Sequence, residues 1–378
     1  PGLAGPSAVQ GVQPWTLYRF TALRIVTYAF DLHYAHRKVP STVRSLHTQA
    51  DLVIHAETHR PRTTYNLMSY LGYITYHPLY LVGPILGFNS FMAQLDQPQR
   101  TYTHSQILAY GVRLVFLVLL LQLFDSFWLY PGVINSALPV GLLPYLGSWE
   151  LFVAVHSKLI FFWMQLMVIW RFPRFVALLD GVDSPENMTA CPSFNCDFQQ
   201  FWRTWHASMN RFVLRYLYTP LGGKRFAPIA VPLTFGFIAF WHEETGFWTE
   251  PAWYAWGMMN AAGVTLEGQI RRRWPQPRTR FAEVTCGGIA GTLALFGLMI
   301  ANLPALMWDR TIPLLVAVFG RSDSECLSLL AALPVVFFAM SILTQQSREA
   351  ARRVARQQAA QDGHLELGKA RIQEPPPR

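Results

Sequence analysis

The sequence predicts an all-α, polytopic membrane protein of about eight to ten helices, some of them broken or re-entrant. Hydrophobic residues make up 52% of the 378-residue chain and charged residues only 14%, which leaves too little polar surface for a soluble protein of this size. Several apolar runs also approach the ~20 residues that a helix needs to cross a bilayer. A helical membrane protein is the class that satisfies both observations.

The positive charge of the chain, +9 in all, is concentrated in particular loops and in the C-terminal tail. This distribution is typical of the positive-inside tendency of membrane proteins, and no motif for binding nucleic acid accompanies it. The four cysteines are few and unevenly spaced, so neither a disulfide framework nor a metal site is predicted. The N-terminal stretch is mixed rather than apolar, which predicts no signal peptide and a start at Pro1 that is a truncation or a domain boundary.

Two helical regions are predicted near the start of the chain. Residues 14–34 carry apolar positions at helical spacing, with Arg19, Arg24 and Asp31 among them, and predict one amphipathic or marginally spanning helix. Residues 65–91 are apolar but contain a His-Pro and a Gly-Pro pair, which predict a broken or re-entrant helix. Broken backbone at membrane depth is tolerated only where protein or a cavity covers it.

Further apolar runs predict membrane spans, which are residues 107–130, 149–170, 227–242, 251–269, 284–308 and 326–343. Residues 172–200, between the second and third of these, are polar and include an Asn187-Met188-Thr189 sequon. Arg271 to Arg273 end the fourth span, and such a cluster marks the cytoplasmic side. The last two crossings then return the tail to that side.

Counting crossings backwards from the arginine cluster places residues 211–225 and the sequon on the cytoplasmic side, where the sequon would not be glycosylated. By the same count, His206 lies towards the cytoplasmic face and His242 towards the opposite face, unless His242 lies deep in the membrane. Residues 1–345 are therefore predicted to form the membrane domain, and residues 346–378 a basic and then proline-rich cytosolic tail.

Residues 201–242 are the stretch that the rest of the chain is expected to hold in place. Trp202, His206 and Met209 fall at helical spacing and predict an amphipathic helix that presents His206. A Pro-Leu-Gly-Gly sequence is expected to end this helix, because proline removes a backbone donor and paired glycines favour turns. The residues that define this turn are Pro220, Gly222 and Gly223.

An apolar run from Ala227 to Trp241 delivers His242 at its end. A histidine inside a membrane usually has a partner or a function. A neutral histidine can also serve as a hydrogen-bonding group between helices. Glu243 and Glu244, which follow it, equally fit the solvated edge of the span.

The residues exclude several reaction classes. The sequence from His242 to Gly246 begins like a zinc-protease helix, but glycine occupies the position of the second histidine. There is no G-x-S-x-G elbow and no Walker-type glycine loop. A histidine that acts as general base in a dry cavity remains, and this suits acyl transfer to a hydroxyl, which is a poor nucleophile until its proton is removed.

The segment FWRTWHASMNRFVLRYLYTPLGG, followed by FIAFWH, resembles the signature of the membrane-bound O-acyltransferase superfamily. Further matches, which extend the resemblance to most of the chain, are Leu23-Arg24 with Asp31, Pro78-Leu79-Tyr80 with Gly83-Pro84-Ile85 and Phe88, and Ala301-Asn302-Leu303. The FWRTWH form and the SPENMT sequence that precedes it resemble the branch of the yeast glycerol-uptake protein, whose members remodel GPI anchors, and the related Hedgehog acyltransferase.

The resemblance implies helices around a central tunnel, with acyl-CoA from the cytoplasmic face as co-substrate and with no further cofactor or metal. It implies that His242 is the catalytic histidine and that His206 is the second active-site residue. Candidate substrate-binding residues are Trp205, Asn210, Arg203, Trp241, Tyr218 and Arg215. Side chains that would attract the phosphates of acyl-CoA are Arg203, Arg211, Arg215, Lys224 and Arg225. Ordinary positive-inside charge is the alternative explanation for these basic residues.

The function that the resemblance implies is transfer of a fatty acyl group from acyl-CoA to a hydroxyl of a lipid in the endoplasmic reticulum membrane. Lyso-GPI is the favoured acceptor. A lysophospholipid acceptor, or a Hedgehog-type protein acyltransferase or its regulator, is an alternative within the family. A glycerol or solute transporter and a non-catalytic scaffold are alternatives of other classes.

Overall fold

The computed structural model describes residues 14–37, 58–127, 143, 145–243, 250–273, 279–308 and 311–372, and the regular secondary structure of these ranges is helical, with no β-strand among them. They contain thirteen α-helices, several of which are short pieces of longer helices that are interrupted. The predicted all-α class is confirmed.

The N-terminal helix α1 (Pro14–Arg37) packs against the segment that was predicted to be broken. That segment forms three short helices, α2 (Leu67–Ile74), α3 (His77–Tyr80) and α4 (Phe88–Asp96). The His-Pro pair begins α3, where proline at the start of a helix is tolerated because the missing N–H would have no partner there. The predicted breaks are confirmed.

Arg24 of α1 donates hydrogen bonds to backbone carbonyl groups next to these breaks. Its guanidinium donates to the carbonyl oxygens of Tyr80 at 3.1 Å and Ile74 at 3.4 Å, and also to that of Leu79. Arg24 is buried, and the residual carbonyls at the ends of α2 and α3 would otherwise lack partners away from water. The broken segment is therefore held by a charged side chain of α1.

Four helices of the described ranges are long and apolar enough to cross a membrane. They are α5 (His104–Phe127), α6 (Ser148–Leu179), α11 (Arg280–Met307) and α13 (Ser324–Ile372). The polar segment was predicted to begin at residue 172, but α6 continues through Pro173 to Leu179. The last turns of α6 are anchored, because Arg174 donates to Ser184 O at 2.7 Å and to Asp183 Oδ1 at 2.8 Å.

The central stretch does not form the single amphipathic helix that its spacing predicted. It forms α7 (Phe198–Thr204), α8 (Ala207–Val213) and a turn of π-helix (Leu214–Tyr218), with a break at His206. The next helix, α9 (Ala227–His242), has the predicted bounds, and α10 (Pro251–Arg273) follows and packs along it. With 16 residues α9 is about 24 Å long, shorter than the ~30 Å hydrocarbon core of a bilayer.

One helix was not expected from the sequence. α12 (Thr311–Phe319) lies in the connection between α11 and α13. Its buried residues Leu314 and Val318 belong to the same core cluster as Leu151 of α6 and Leu329 of α13. α13 itself continues without interruption across the predicted boundary at residue 345, and residues 373–378 of the proline-rich tail lie outside the described residues.

Asp197 shows that the arginine cluster and the start of the tail lie at the same end of the molecule. Its carboxylate accepts from Arg348 of α13 at 3.0 Å and lies 3.7 Å from Arg271 at the end of α10. Arg280 at the start of α11 pairs with Glu349 at 2.8 Å. These contacts agree with the predicted topology, in which α11 and α13 leave and return to the cytoplasmic side.

Labelling of single cysteines tests this topology. In a background without the four native cysteines, Ser347→Cys is expected to react with an impermeant maleimide in sealed microsomes, whereas Ser322→Cys reacts only after detergent is added. Both serines are exposed in the structure, so burial does not protect either of them. Equal labelling of both positions in sealed vesicles would contradict the topology.

Candidate active site

A cavity of about 1400 Å³ lies against α9 and α10. Ala227 and His242, the two ends of α9, both line it, as do Trp253 and Arg273 near the two ends of α10. At a rise of 1.5 Å per residue, the distance between Trp253 and Arg273 along the helix is about 30 Å. The cavity therefore extends along the length of both helices, as a tunnel between the two sides of a membrane requires.

His242 is the last residue of α9, and its ring is fixed on several sides. Nδ1 donates to the carbonyl oxygen of Ile238 at 2.8 Å, because a carbonyl can only accept. The ring stacks on Trp253 with centroids 4.6 Å apart and lies edge-on to Trp241 at 4.9 Å. With the proton on Nδ1, Nε2 carries the free lone pair.

Glu243, which follows His242, is buried and hydrogen-bonded within the protein and does not lie at a solvated edge of the span. Its carboxylate accepts from the backbone N–H of Glu250 at 3.0 Å and from the hydroxyl of Tyr254. It thereby joins the end of α9 to the start of α10. Glu244 lies outside the described residues.

His206 lies at the break between α7 and α8 in a left-handed conformation, with φ 45° and ψ 53°. Among the described residues it is the only non-glycine residue with positive φ. Its side chain is buried, stacks on Trp170 with centroids 4.3 Å apart, and lines the cavity. Its Nε2 has no hydrogen-bond partner among the described residues.

The two histidines, which were predicted to lie towards opposite faces unless His242 lies deep, approach the same side chain in the structure. The ring of Trp241 lies 6.2 Å from that of His206 and 4.9 Å from that of His242. The C-terminal end of α9 therefore lies near the break at His206.

Not all of the predicted substrate-binding residues line the cavity. Five of the six line the cavity, namely Trp205, Asn210, Arg203, Trp241 and Tyr218. Arg215 does not: its guanidinium pairs with Asp31 of α1 at 3.4 Å. Asp31 is fully buried and also accepts from the backbone N–H of Asn89 at 3.1 Å and from Tyr216 at 3.3 Å. Arg215 therefore belongs to a structural ion pair.

The Pro-Leu-Gly-Gly turn connects the π-helical turn to α9 and lies outside the cavity lining. Gly222 has φ 94° and Gly223 has φ 55°, the left-handed region in which glycine carries no steric cost. Pro220 is exposed at the start of the turn. The predicted end of the helix is confirmed.

Basic side chains line the cavity, namely Lys158, Arg203, Lys224, Arg271, Arg272 and Arg273. Lys224 precedes α9 and Arg271 to Arg273 end α10, so these four form a basic mouth at the end of the cavity opposite His242. Arg271 is held by Glu267 at 2.8 Å. Lys224 and Arg273 have no ion pair among the described residues. Arg211 and Arg225, which were predicted to attract acyl-CoA, do not line the cavity.

Several lining residues were not found from the sequence. Trp170 of α6, Trp253 of α10 and Arg19 of α1 contact the two histidines or their backbone, and the arginine donates to the carbonyl oxygen of His242 at 3.4 Å. They come from elements far apart in the chain, so no local spacing connects them with the histidines.

Comparison with known proteins gives one family. A sequence model of the membrane-bound O-acyltransferase family matches residues 13–307. The chain is 29% identical over 366 residues to the membrane-bound O-acyltransferase gup1 of Schizosaccharomyces pombe, with 91% of this chain and 60% of that protein covered. It is 31% identical over 251 residues to GUP1 of Saccharomyces cerevisiae, with 62% and 43% covered.

A mouse relative is named for a different acyl-transfer reaction. The protein-cysteine N-palmitoyltransferase HHAT of Mus musculus is 31% identical over 217 residues, with 56% of this chain and 42% of that protein covered. The chain thus spans about half the length of these curated relatives.

Proposed function

Because the chain belongs to the membrane-bound O-acyltransferase family, we propose that it transfers a fatty acyl group from acyl-CoA to a hydroxyl of a lipid acceptor. The observation that carries this proposal is that His206 and His242 line one cavity whose other end is basic. The cavity has room for a long acyl thioester, and both histidines come from the segments that resemble the family signature.

His242 is the general base of the proposed reaction. Its Nε2 lone pair accepts the proton of the acceptor hydroxyl while the hydroxyl oxygen attacks the thioester carbonyl carbon. The carbon–sulfur bond then breaks, and the same nitrogen returns the proton to the sulfur of coenzyme A. The products are an ester and the free thiol, so no oxidant or metal is needed for the balance.

His206 is proposed to orient the thioester or to stabilise the oxyanion. Its ring is fixed by the stack on Trp170, and its Nε2 is left without a partner among the residues that the structure describes. A preorganised donor in a site shielded from water stabilises developing charge more than it would in solution. The proximity of both histidine rings to Trp241 supports a shared site for the two residues.

The acceptor is proposed to be lyso-GPI, in the endoplasmic reticulum membrane. The likeness to the two yeast proteins supports a hydroxyl acceptor, since both are membrane-bound O-acyltransferases by name. The likeness to the mouse N-palmitoyltransferase supports a second candidate, an amino-terminal cysteine of a protein.

An acceptor panel tests the proposal. Purified protein is offered labelled acyl-CoA together with lyso-GPI, a lysophospholipid or a peptide with an amino-terminal cysteine. Transfer to lyso-GPI above the other two is the expected result. If all three acceptors stay unlabelled, the acyltransferase function is rejected and a transporter or a scaffold becomes the better explanation.

The basic mouth gives a prediction about the donor. Lys224→Gln with Arg273→Gln is expected to raise KM for acyl-CoA roughly 2- to 30-fold, because each exposed ion pair contributes about 0.2–1 kcal/mol. The KM for the acyl-pantetheine thioester, which carries no phosphate, should not change. Arg225→Gln is the matched control, since Arg225 is basic but does not line the cavity. An equal rise in KM for both thioesters would argue against phosphate recognition at this mouth.

A further inference from the structure

The left-handed backbone of His206 is contacted by a residue of the linker between α6 and α7, residues 180–197. The N–H of Ala207 donates to the carbonyl oxygen of Asn187 at 3.0 Å, and the N–H of Ser208 donates to the side-chain Oδ1 of Asn187 at 2.9 Å. These are the two peptide groups that follow His206. Asn187 therefore binds the first turn of α8 through both its backbone and its side chain.

The linker also contacts the chain on the other side of the break at His206. The N–H of Thr189 donates to the carbonyl oxygen of Thr204, the last residue of α7, at 3.1 Å. Met188 is buried in the cluster that also contains Trp170, on which the His206 ring stacks. The linker thus contacts the chain immediately before and immediately after His206, and it also contacts the aromatic side chain under the imidazole.

The linker is itself anchored. Asp183 pairs with Arg174 of α6 at 2.8 Å, and Glu186 pairs with Arg171 at 3.2 Å and accepts from Tyr110 of α5 at 2.9 Å. Burial raises the pKa of the Asp183 carboxyl, and the Arg174 guanidinium opposes this shift. Asn187 follows directly on this anchored stretch, so its position is set by α5 and α6.

We propose that Asn187 is a positioning residue, which holds His206 in the left-handed conformation and so keeps its imidazole at the cavity wall. A non-glycine residue persists with positive φ only where its surroundings over-determine it. The two hydrogen bonds to Asn187 are the contacts that fix this geometry. This inference rests on the proposed function, in which His206 acts on the acyl thioester.

The same observation explains the sequon. Asn187 is 1% exposed, so the folded chain does not offer its side-chain nitrogen for glycosylation. Asn187 is thus an internal structural residue within a sequence that has the form of a glycosylation site.

A double-mutant cycle with His206 tests the proposal. Asn187→Ala is expected to lower kcat roughly 10- to 100-fold with little change in KM for acyl-CoA, because a small displacement of a catalytic group has an effect of this size. In a His206→Ala background the same change should have no further effect on kcat, since the positioned group is gone. Equal losses of kcat in both backgrounds would show that Asn187 acts on the fold in general.

Two further variants separate positioning from stability. Asn187→Asp keeps the oxygen that accepts from Ser208 but places a carboxyl at a buried site, so it is expected to lower the Tm while it retains most of the kcat per folded molecule. Asn89→Ala is the matched control, because Asn89 is also buried and its side chain accepts a hydrogen bond from Tyr65 at 2.6 Å, away from His206. It should lower the Tm in detergent without the fall in kcat per folded molecule.

The outcomes distinguish a failure of the proposed acyltransferase function from a failure of the positioning role of Asn187. Wild-type protein that transfers no acyl group rejects the proposed function. Active wild type with unchanged kcat in Asn187→Ala, or an Asn187→Asp variant as impaired as Asn187→Ala, overturns the positioning role of Asn187 alone.

Discussion

His242→Ala is expected to reduce acyl transfer by at least about 10²–10⁴-fold, the usual contribution of a general base. Binding of acyl-CoA and the yield of folded protein should stay near wild type, because a base lowers the barrier rather than stabilising the bound ground state. The measurement is the transfer of a labelled acyl group under single-turnover conditions, together with acyl-CoA binding at equilibrium.

Alanine substitutions of two other histidines serve as comparisons for His242→Ala. His206→Ala should be less severe, with a loss of roughly 10²-fold if the residue only stabilises charge. His156→Ala should retain activity, since His156 of α6 contacts Ser193 at 3.1 Å and does not line the cavity. Full activity of His242→Ala would remove the general base from the mechanism.

Gly222→Val is expected to reduce both the yield of folded protein and its activity. A positive φ costs an L-residue roughly 1–2 kcal/mol, and a β-branched side chain is disfavoured further. A Cβ at Gly222, where φ is 94°, would also overlap the ring of Phe226. Because the turn begins α9, and His242 is at the other end of that helix, the displacement should reach the active site.

Gly236→Val is the matched control for this prediction. Gly236 lies within α9, and a Cβ there would meet no atom within 4 Å. This variant should keep a near-normal yield, thermal stability in detergent and turnover. If Gly222→Val gave the same values as Gly236→Val, the turn would not be needed for positioning the active site.

Patterns in the local sequence predicted those elements of the fold that depend on a single local cause, such as hydrophobicity or a backbone preference. Four of the six predicted spans become helices long and apolar enough to cross a membrane, because few charged groups interrupt their apolar runs, whereas residues 227–242 and 251–269 form helices that are not among these four. The His-Pro and Gly-Pro pairs break residues 65–91 as expected, since proline removes a backbone donor wherever it occurs. Gly222 and Gly223 form the expected turn for an equally local reason.

The break at His206 is the main feature that spacing did not predict. The residues around it are compatible with a continuous helix, and neither proline nor glycine marks the position. The left-handed backbone is associated with hydrogen bonds to Asn187, which belongs to a different element. The same holds for Arg215, whose partner Asp31 lies in α1.

The sequence by itself determined the all-helical membrane class, the bounds of α9 and the position of His242 at its end, since each depends on hydrophobicity or on backbone preferences along one segment. Only the tertiary structure decided that His206 and His242 meet at Trp241. It also decided which basic residues line the cavity and which form internal ion pairs. These outcomes depend on contacts between helices distant in the chain, and local periodicity carries no information about such contacts.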